Sequence, residues 1–569
     1  MSAIDWTVLI FTLVFIVGYG LWKTKGSTSV RDYVLGGKEA NWTTIGLSVM
    51  ATQASAITFL STPGQAYHDG MGFVQFYFGL PLAMIVIILV FIPLYDRLKV
   101  ETAYEFLEKR FNGQTRTLTA LLFLIQRGLS AGITIFAPAI ILSAVLGWPL
   151  KLLVVIIGGL VILYTVSGGT KAVNVTQKQQ MFVIMSGMFV AFYMIVSSLP
   201  AHIDFSSALA IAEQSGKLEV LDFSISPNNR YTFWSGITGG FFLALSYFGT
   251  DQSQVQRYLS GKSKRESQLG LVFNGIFKIP MQFFILLVGV MVFVFFQYNP
   301  SPIHFNPVAQ KAMEAPLYHS EYEGLKNSLA NIQEKRTGWQ ERYLEALKNK
   351  QTALVAQADL ALKDLQTEEL KLRQETKVLL KKAAPKVAVN DKDYVFIHYI
   401  LHYLPRGLIG LLLAVILSAA MSSTASELNA LGTITSIDLY RRYAPVSKDK
   451  DHYLKMTKWF TFGWGLVAIG IASIANLFEN LIQLVNIIGS IFYGNVLGIF
   501  LLAFFFKYIK GNAVFYSAIV TQLLVIYCFY MDFMSYLWLN VLGCLLVIIG
   551  AHLLSVFLNI KTNSKHLSL

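Results

Sequence analysis

The sequence predicts an all-α integral membrane protein of about thirteen transmembrane helices, and three observations carry that prediction. Of its 569 residues, 54% are hydrophobic and only 14% are charged. Apolar runs of roughly 20 residues, the length that crosses ~30 Å of hydrocarbon as a helix, recur along nearly the whole chain. Lysine and arginine gather in alternate short loops, as they do on the cytoplasmic side of multi-pass proteins.

The apolar runs lie near 4–22, 43–66, 72–96, 117–147, 150–167, 179–199, 231–256, 269–297, 399–440, 454–477, 480–506, 512–531 and 534–558. The ninth exceeds a bilayer's need, so it is expected to tilt, bend or extend into the cytoplasm. Lys23, Lys25, Arg31 and Lys38 follow the first span; Arg97, Lys99, Lys109 and Arg110 the third; Lys262, Lys264 and Arg265 the seventh; Arg441, Arg442, Lys448 and Lys450 the ninth. The alternate loops at 68–71, 201–229 and 530–533 are nearly free of them. This places the N-terminus outside and the tail from Lys561 inside, in the plasma (cell inner) membrane. No small-residue cleavage site follows the first run, so it reads as a retained span. The net charge of +13 follows from the loop bias and leaflet contact, and no nucleic acid is implied. Cys528 and Cys544 lie in apolar spans and suggest neither a disulfide nor a metal site.

One stretch breaks the pattern. Between the eighth and ninth spans, hence outside, residues 311–392 are rich in Glu, Lys, Gln, Ala and Leu, with apolar positions at Leu325, Leu329, Ile332, Leu347, Leu354, Leu362, Leu365 and Leu372. That is helical composition. Both ends must return to the membrane, so a helical hairpin is expected, turning near Thr337-Gly338 or near Asn349. It reads as a solvated spacer or as an arm for an extracytoplasmic partner.

The remaining chain divides into residues 1–42, an extra helix and its cytoplasmic loop; 43–200, a first set of five helices; 231–507, a second set interrupted by the insert; and 508–569, two final helices and a short tail. An odd number of crossings separates the starts of the two sets, so their topologies are opposite. Transporters built on inverted repeats bind solute at the midplane, where the first helix of each repeat is broken. Both candidate first helices hold weak points: Thr52, Gln53, Ser55, Thr58 and Pro63-Gly64 in one, and Gly239-Gly240, Ser246 and Gly249 in the other. Small residues are also common where membrane helices simply pack closely.

Three segments carry a resemblance: YTVSGGTKAVNVTQKQQ (164–180), YFGTDQSQVQRYLSGKSKRES (247–267) and MSSTASELNALGTITSIDLYRRY (421–443). They resemble signature stretches of the sodium/solute symporter family, which includes sodium-coupled sugar, sialic acid, monocarboxylate, multivitamin and iodide carriers. The similarity spans all but the insert and implies a five-plus-five inverted-repeat core of the LeuT type. It also implies a Na⁺ site with carbonyl ligands from Ala51, Ala54 and Ala419 and hydroxyl ligands from Ser422 and Ser423. The alternative role for such serines is a bond back to the carbonyl one turn earlier. Some members hold a second Na⁺ with an acid in a Thr-Asp-x-x-Gln segment; here the segment reads Thr176-Gln177-Lys178-Gln179-Gln180. Ser426 keeps the matching hydroxyl, but Gln177 brings no charge, so one Na⁺ per cycle is expected.

The resemblance places the solute beside the same breaks, at Thr58, Tyr77, Ser130, Lys278 and Asn486, with Tyr247 and Phe76 closing the inner and outer sides. The acid and amide that sugar carriers show at the positions of Tyr77 and Ala244 are absent. Arg127 stands near mid-depth in the fourth span, where a charge is costly enough to point to function, the alternative being an arginine paired with carbonyls or a nearby acid, and Ile135 to Gly147 look like the monocarboxylate and iodide branch. A carboxylate-bearing solute is therefore ranked ahead of a sugar. The expected activity is Na⁺-coupled uptake of a small organic solute by alternating access. The other classes considered are a transporter-like membrane sensor and a channel; no catalytic motif suggests an enzyme.

Overall fold

A computed structural model describes residues 2–23, 29–444, 450–475 and 481–566. Lys25, Lys448, the ends of the tenth and eleventh runs at 476–480 and the last residues of the basic tail lie outside the described residues. Among those described, every long element is helical, and the sole β feature is an isolated bridge between Ala40 and Gly261.

The chain opens with α1 (Ala3–Lys23), α2 (Trp42–Gln53), α3 (Ala56–Asp69) and α4 (Leu80–Val86), the last continued by Ile87–Phe91 and Ile92–Leu98. Next come α5 (Gly113–Leu146), α6 (Leu150–Ser197), the short α7 (Phe205–Gln214), α8 (Gly240–Gly249), α9 (Gln252–Leu259) and α10 (Lys264–Tyr298). After the hairpin α11 (His319–Lys348) and α12 (Thr352–Ala383) follow α13 (Lys392–Tyr403), α14 (Leu408–Ile434), α15 (Lys450–Ile474), α16 (Leu481–Phe505), α17 (Gly511–Tyr530) and α18 (Tyr536–His566). Nine helical stretches among the described residues are long and apolar enough to cross a membrane. Two of them, Ala56–Leu98 and Leu150–Ser197, contain 43 and 48 residues. At 1.5 Å per residue each is about twice a bilayer's need, and each folds back within itself. In α6 the reversal sits at Gly169, whose φ of 55° suits glycine and where an added Cβ would lie 2.6 Å from the Tyr33 carbonyl.

The ninth run differs from its expected extent. Residues 399–403 belong to α13, and α14 starts at Leu408, because Pro405 and a left-handed Gly407 (φ 91°) interrupt the helix. From Leu412 to Ile434 every residue of α14 is buried. A helix with no exposed face belongs in the middle of a bundle, and α14 packs against α1, α5, α6 and α15. The extra N-terminal helix is tied to it through Asp5, whose Oδ1 accepts from Gly407 N (2.6 Å) and Gly410 N (3.2 Å).

The insert is a hairpin that turns at Asn349 to Gln351, with Thr337 and Gly338 inside α11. Leu325, Leu329, Ile332, Leu362 and Leu365 are buried, whereas Leu347 near the turn is exposed. The hairpin is docked along its length and is not a solvated spacer. Gln340 Nε2 bonds Gln297 Oε1 at the end of α10 (3.0 Å), and Gln214 of α7 bonds Asp359 (3.1 Å). Glu369 lies between Arg336 and Arg373, and Arg373 also donates to Ile303 O (2.9 Å), Pro302 O (3.3 Å) and Ser301 Oγ (3.1 Å).

Candidate functional site

Two helices are broken at mid-span. Ala54 N closes α2 on Met50 O (2.7 Å), Ser55 is extended (φ −74°, ψ 174°), and Thr58 N starts α3 on Ser55 O (2.9 Å). Of the weak points expected for the second helix, Gly239-Gly240, Ser246 and Gly249, only Gly249 adjoins the second break. The break falls at Thr250 and Asp251, where the Asp251 carboxylate caps α9 by accepting from Ser253 N (2.9 Å) and Ser253 Oγ (2.6 Å). Gly240 serves packing instead: an added Cβ would meet the Phe76 carbonyl at 2.6 Å.

The first break lies against the hydroxyl stripe of α14. Ser422 Oγ donates to Ala51 O (3.4 Å), and one residue on, Ser423 Oγ donates to Ala419 O (3.3 Å). Ala54 is fully buried at the end of α2, one turn from Ala51. The residues expected to hold Na⁺ are thus gathered as two hydroxyls and backbone carbonyls in a dry site, the donor set that a hard cation prefers. Both serine protons rest here on carbonyls of the set, and the Ser423 bond is the bond back to the carbonyl one turn earlier; a hydroxyl that turns its proton away leaves its lone pairs and that carbonyl to an ion, and in that arrangement the set fits Na⁺. The position around Ser426 and Gln177 does not. Gln177 Nε2 donates to Ser426 Oγ (2.9 Å), Thr52 Oγ1 (3.0 Å) and Ser422 O (3.2 Å), and its Oε1 accepts from Ser48 Oγ. Three oxygens that could face a cation receive an amide N–H.

Beside these contacts a cavity of about 70 Å³ is lined by Thr58, Phe76, Tyr77, Arg127, Tyr247 and Asn486 among others. An outer cavity of about 540 Å³ is lined by Asp69, Phe73, Gln75 and Arg230. The rings of Phe73, Phe76 and Tyr77 stand between the two, with centroids 4.8 to 6.0 Å apart. On the other side Tyr247 and Tyr493 pack at 5.8 Å. Two expected solute residues do not line the cavity. Ser130 Oγ bonds back to Gln126 O (3.1 Å). Lys278 is fully buried, its Nζ has no hydrogen-bond partner, and it lies 5.7 Å from the centroid of the Tyr77 ring.

Arg127 lines the cavity, but its guanidinium is taken. It pairs with Asp251 and with Glu427 Oε1 (3.0 Å), bonds the Tyr493 hydroxyl, and stacks 5.3 Å over Tyr247. Tyr493 in turn donates to Asp251 Oδ2 (3.1 Å). Sequence reasoning passed over Asp251 and Glu427, although both stand in the motifs it quoted. The available signal was a carboxylate in a membrane helix, which needs a partner by its cost alone.

Residues 33–315 and 377–521 match the sodium:solute symporter family, and the gap between them holds most of the hairpin. A human sodium/iodide cotransporter is 33% identical over 301 residues, 51% of this chain and 46% of that protein. The sodium-coupled monocarboxylate transporter 1 of Xenopus laevis is 27% identical over 515 residues, 89% of this chain and 69% of that protein. The chain therefore spans about half the length of the first relative and two thirds of the second. A solved Na⁺-coupled sialic acid symporter, in a substrate-bound outward-open state, superposes with a TM-score of 0.75 at 22% identity, over 98% of each chain. That likeness fixes the inverted-repeat, LeuT-like architecture of an all-helical membrane protein. By its sequence match, the chain belongs to the sodium:solute symporter family.

Proposed function

We propose that this protein is a secondary active transporter in which Na⁺ movement drives uptake of a small carboxylate-bearing solute by alternating access. The observation that carries the reading is the meeting of Ser422 and Ser423 with the carbonyls of Ala51 and Ala419 beside the break in the first repeat. Na⁺ bound there ties α14 to α2, so its arrival and departure bias the relation between the two repeats. Phe76 and Tyr247 line a small cavity of about 70 Å³, which supports a carrier over an open channel.

The solute's charge is argued from two cations. Arg127, ranked first from sequence, is compensated by Asp251 and Glu427. Lys278 has no carboxylate partner and lies behind Tyr77, whose ring lines the cavity. An uncompensated buried ammonium is costly, and a carboxylate reaching it past Tyr77 removes that cost. The monocarboxylate and iodide specificities named for relatives agree with an anion. Thr58 and Asn486 supply the polar contacts of the cavity.

The loop charges support an outside N-terminus and a cytoplasmic C-terminus in the plasma membrane. The division at 43–200 and 231–507 supports two inverted repeats between an N-terminal helix and two C-terminal helices. The hairpin projects on the outer face, where its helices are open to an extracytoplasmic partner. Proteoliposomes loaded with K⁺ and challenged with a radiolabelled short monocarboxylate test the function. Accumulation above equilibrium in external Na⁺ and none in K⁺ is expected. Uptake that merely equilibrates in both salts would show a channel, and its absence under every solute offered would favour a sensor.

A further inference from the structure

The Arg127 cluster holds an imbalance. Two carboxylates, Asp251 and Glu427, face one guanidinium. Asp251 is saturated: Arg127 and Tyr493 donate to one oxygen, Ser253 N and Ser253 Oγ to the other. Glu427 is not. Its Oε1 meets Arg127, while its Oε2 is buried with no partner in a residue only 5% exposed. A buried cluster with one carboxylate charge in excess and an unpartnered oxygen is strongly disfavoured.

The surroundings of Glu427 say what completes it. Glu427, Gln53 and Thr134 line the same small cavity. Gln53 Oε1 is likewise buried without a partner. Thr134 Oγ1 donates to Ser130 O (2.9 Å) and is also within hydrogen-bonding reach of the Glu427 carboxylate, so its one rotatable proton serves either acceptor. With that proton on Ser130, three oxygens lining this cavity are acceptors, and one carries charge. A bound proton would satisfy Glu427 and one acceptor only, whereas a metal cation draws on all three. Lys278 stands behind the Tyr77 ring and makes no ion pair with Glu427.

We propose that a second Na⁺ binds in this cavity, held by the free carboxylate oxygen of Glu427 with the side-chain oxygens of Gln53 and Thr134. It neutralises the cluster, and it replaces the second position that the Gln177 amide closes. The proposal rests on the reading of the chain as a Na⁺ symporter and alters its stoichiometry. One Na⁺ with a monovalent anion moves no net charge, so the membrane potential does no work on that cycle. Two Na⁺ with one anion move a single positive charge.

Binding of ²²Na⁺ to the purified full-length protein, counted per folded molecule, is the test. Two ions are expected in the wild type, one in Glu427→Gln, one in Ser422→Ala and none in the double variant. The affinity lost at the Glu427 position should be on the order of a hundredfold or more, and Glu427→Asp, which keeps the charge, should recover part of it. A wild type that binds one ion, lost in Ser422→Ala, overturns the second position while leaving the symporter reading intact. Two ions retained in Glu427→Gln overturn it as well. A folded wild type that binds none overturns the symporter reading itself. The wild-type count alone decides the matter should Glu427→Gln fail to fold.

Discussion

Among the described residues, two of the buried knots of arginine and carboxylate are opposite in charge. Outside the membrane, Glu369 lies between Arg336 and Arg373, one acid to two guanidiniums. Within it, Arg127 lies between Asp251 and Glu427, one guanidinium to two acids. The outer knot disposes of its excess charge locally, since Arg373 donates to the carbonyls of Pro302 and Ile303 and stacks over Phe305. The inner knot leaves Glu427 Oε2 empty. A surplus guanidinium finds carbonyls in any loop, whereas a surplus carboxylate in a dry helix bundle has few donors to call on. The outer knot is accordingly a fixed fastening of the hairpin, and the inner one has room for an ion that comes and goes.

The sharpest way to break the comparison is to remove the shared ion-pair partner inside. Arg127→Ala leaves two uncompensated carboxylates in the core, and losing one partner of a buried pair costs about 3–5 kcal/mol. The expected outcome is a large fall in the thermal unfolding midpoint, or failure to purify as a monodisperse species in fluorescence-detected gel filtration. Asp251→Asn, which also loses the charge that anchors Tyr493, should rank next. A wild-type midpoint for Arg127→Ala would show that the knot is not a structural unit.

The outer knot answers to pH. Burial pushes the Glu369 carboxyl up, but Arg373 and Arg336 pull it down to about 2 from an ordinary 4.5. A depressed folded pKa contributes stability above the unfolded value and loses it as pH falls toward the folded one. The contribution, about 3 kcal/mol on this shift, should therefore be intact above pH 4.5 and fade between pH 4.5 and 2. A fluorophore pair across the hairpin base and the Ser301 to Ile303 loop, read in proteoliposomes, should report undocking only in that window. Glu369→Gln should undock at neutral pH. Separation beginning near pH 6 would assign the docking to another group.

Much of the fold was legible in the sequence because a bilayer imposes length and polarity on every span. The helix break after Gln53 was legible for the same reason: hydroxyls and amides have no cause to cluster in lipid unless backbone is exposed there. What the sequence concealed depends on pairing across the bundle. Arg127, Asp251 and Glu427 are separated by 124 and 300 positions from one another's contacts, so their mutual compensation belongs to the packed state alone. Ranking Arg127 as a solute cation ahead of one paired with a nearby acid followed from seeing one helix at a time. At the second break Gly249 was legible and the glycine pair Gly239-Gly240 misled, while the cap itself, Asp251, shows only in its hydrogen bonds to Ser253. The docking of the insert was hidden likewise, since a Lys- and Glu-rich helix reads as solvated until Glu369 meets Arg336.

A smaller effect on folding, with a large one on ions, is expected at the hydroxyl stripe. Ser422→Ala or Ser423→Ala removes one oxygen from a cation site and one weak hydrogen bond of 3.3 to 3.4 Å. Stability should change by no more than about 1 kcal/mol, while the Na⁺ concentration giving half-maximal uptake should rise at least about tenfold. Wild-type Na⁺ dependence in both variants would reduce these serines to back-bonded helix residues and remove the basis of the coupling argument.

The smallest effect separates two kinds of unpartnered oxygen. Ser418 Oγ, one turn before Ser422 on the same buried helix, also lacks a hydrogen-bond partner. It is neutral, so its desolvation costs little beside that of a carboxylate, and no second unpartnered oxygen lines a cavity with it as Gln53 does with Glu427. Removing an unsatisfied hydroxyl takes away a penalty rather than a contact. Ser418→Ala should therefore leave Na⁺ dependence and the ²²Na⁺ count unchanged, and the unfolding midpoint should hold or rise slightly. A loss of either ion in this variant would mean that the cation positions extend along the stripe, and that an unpartnered oxygen marks a ligand here whether or not it carries charge.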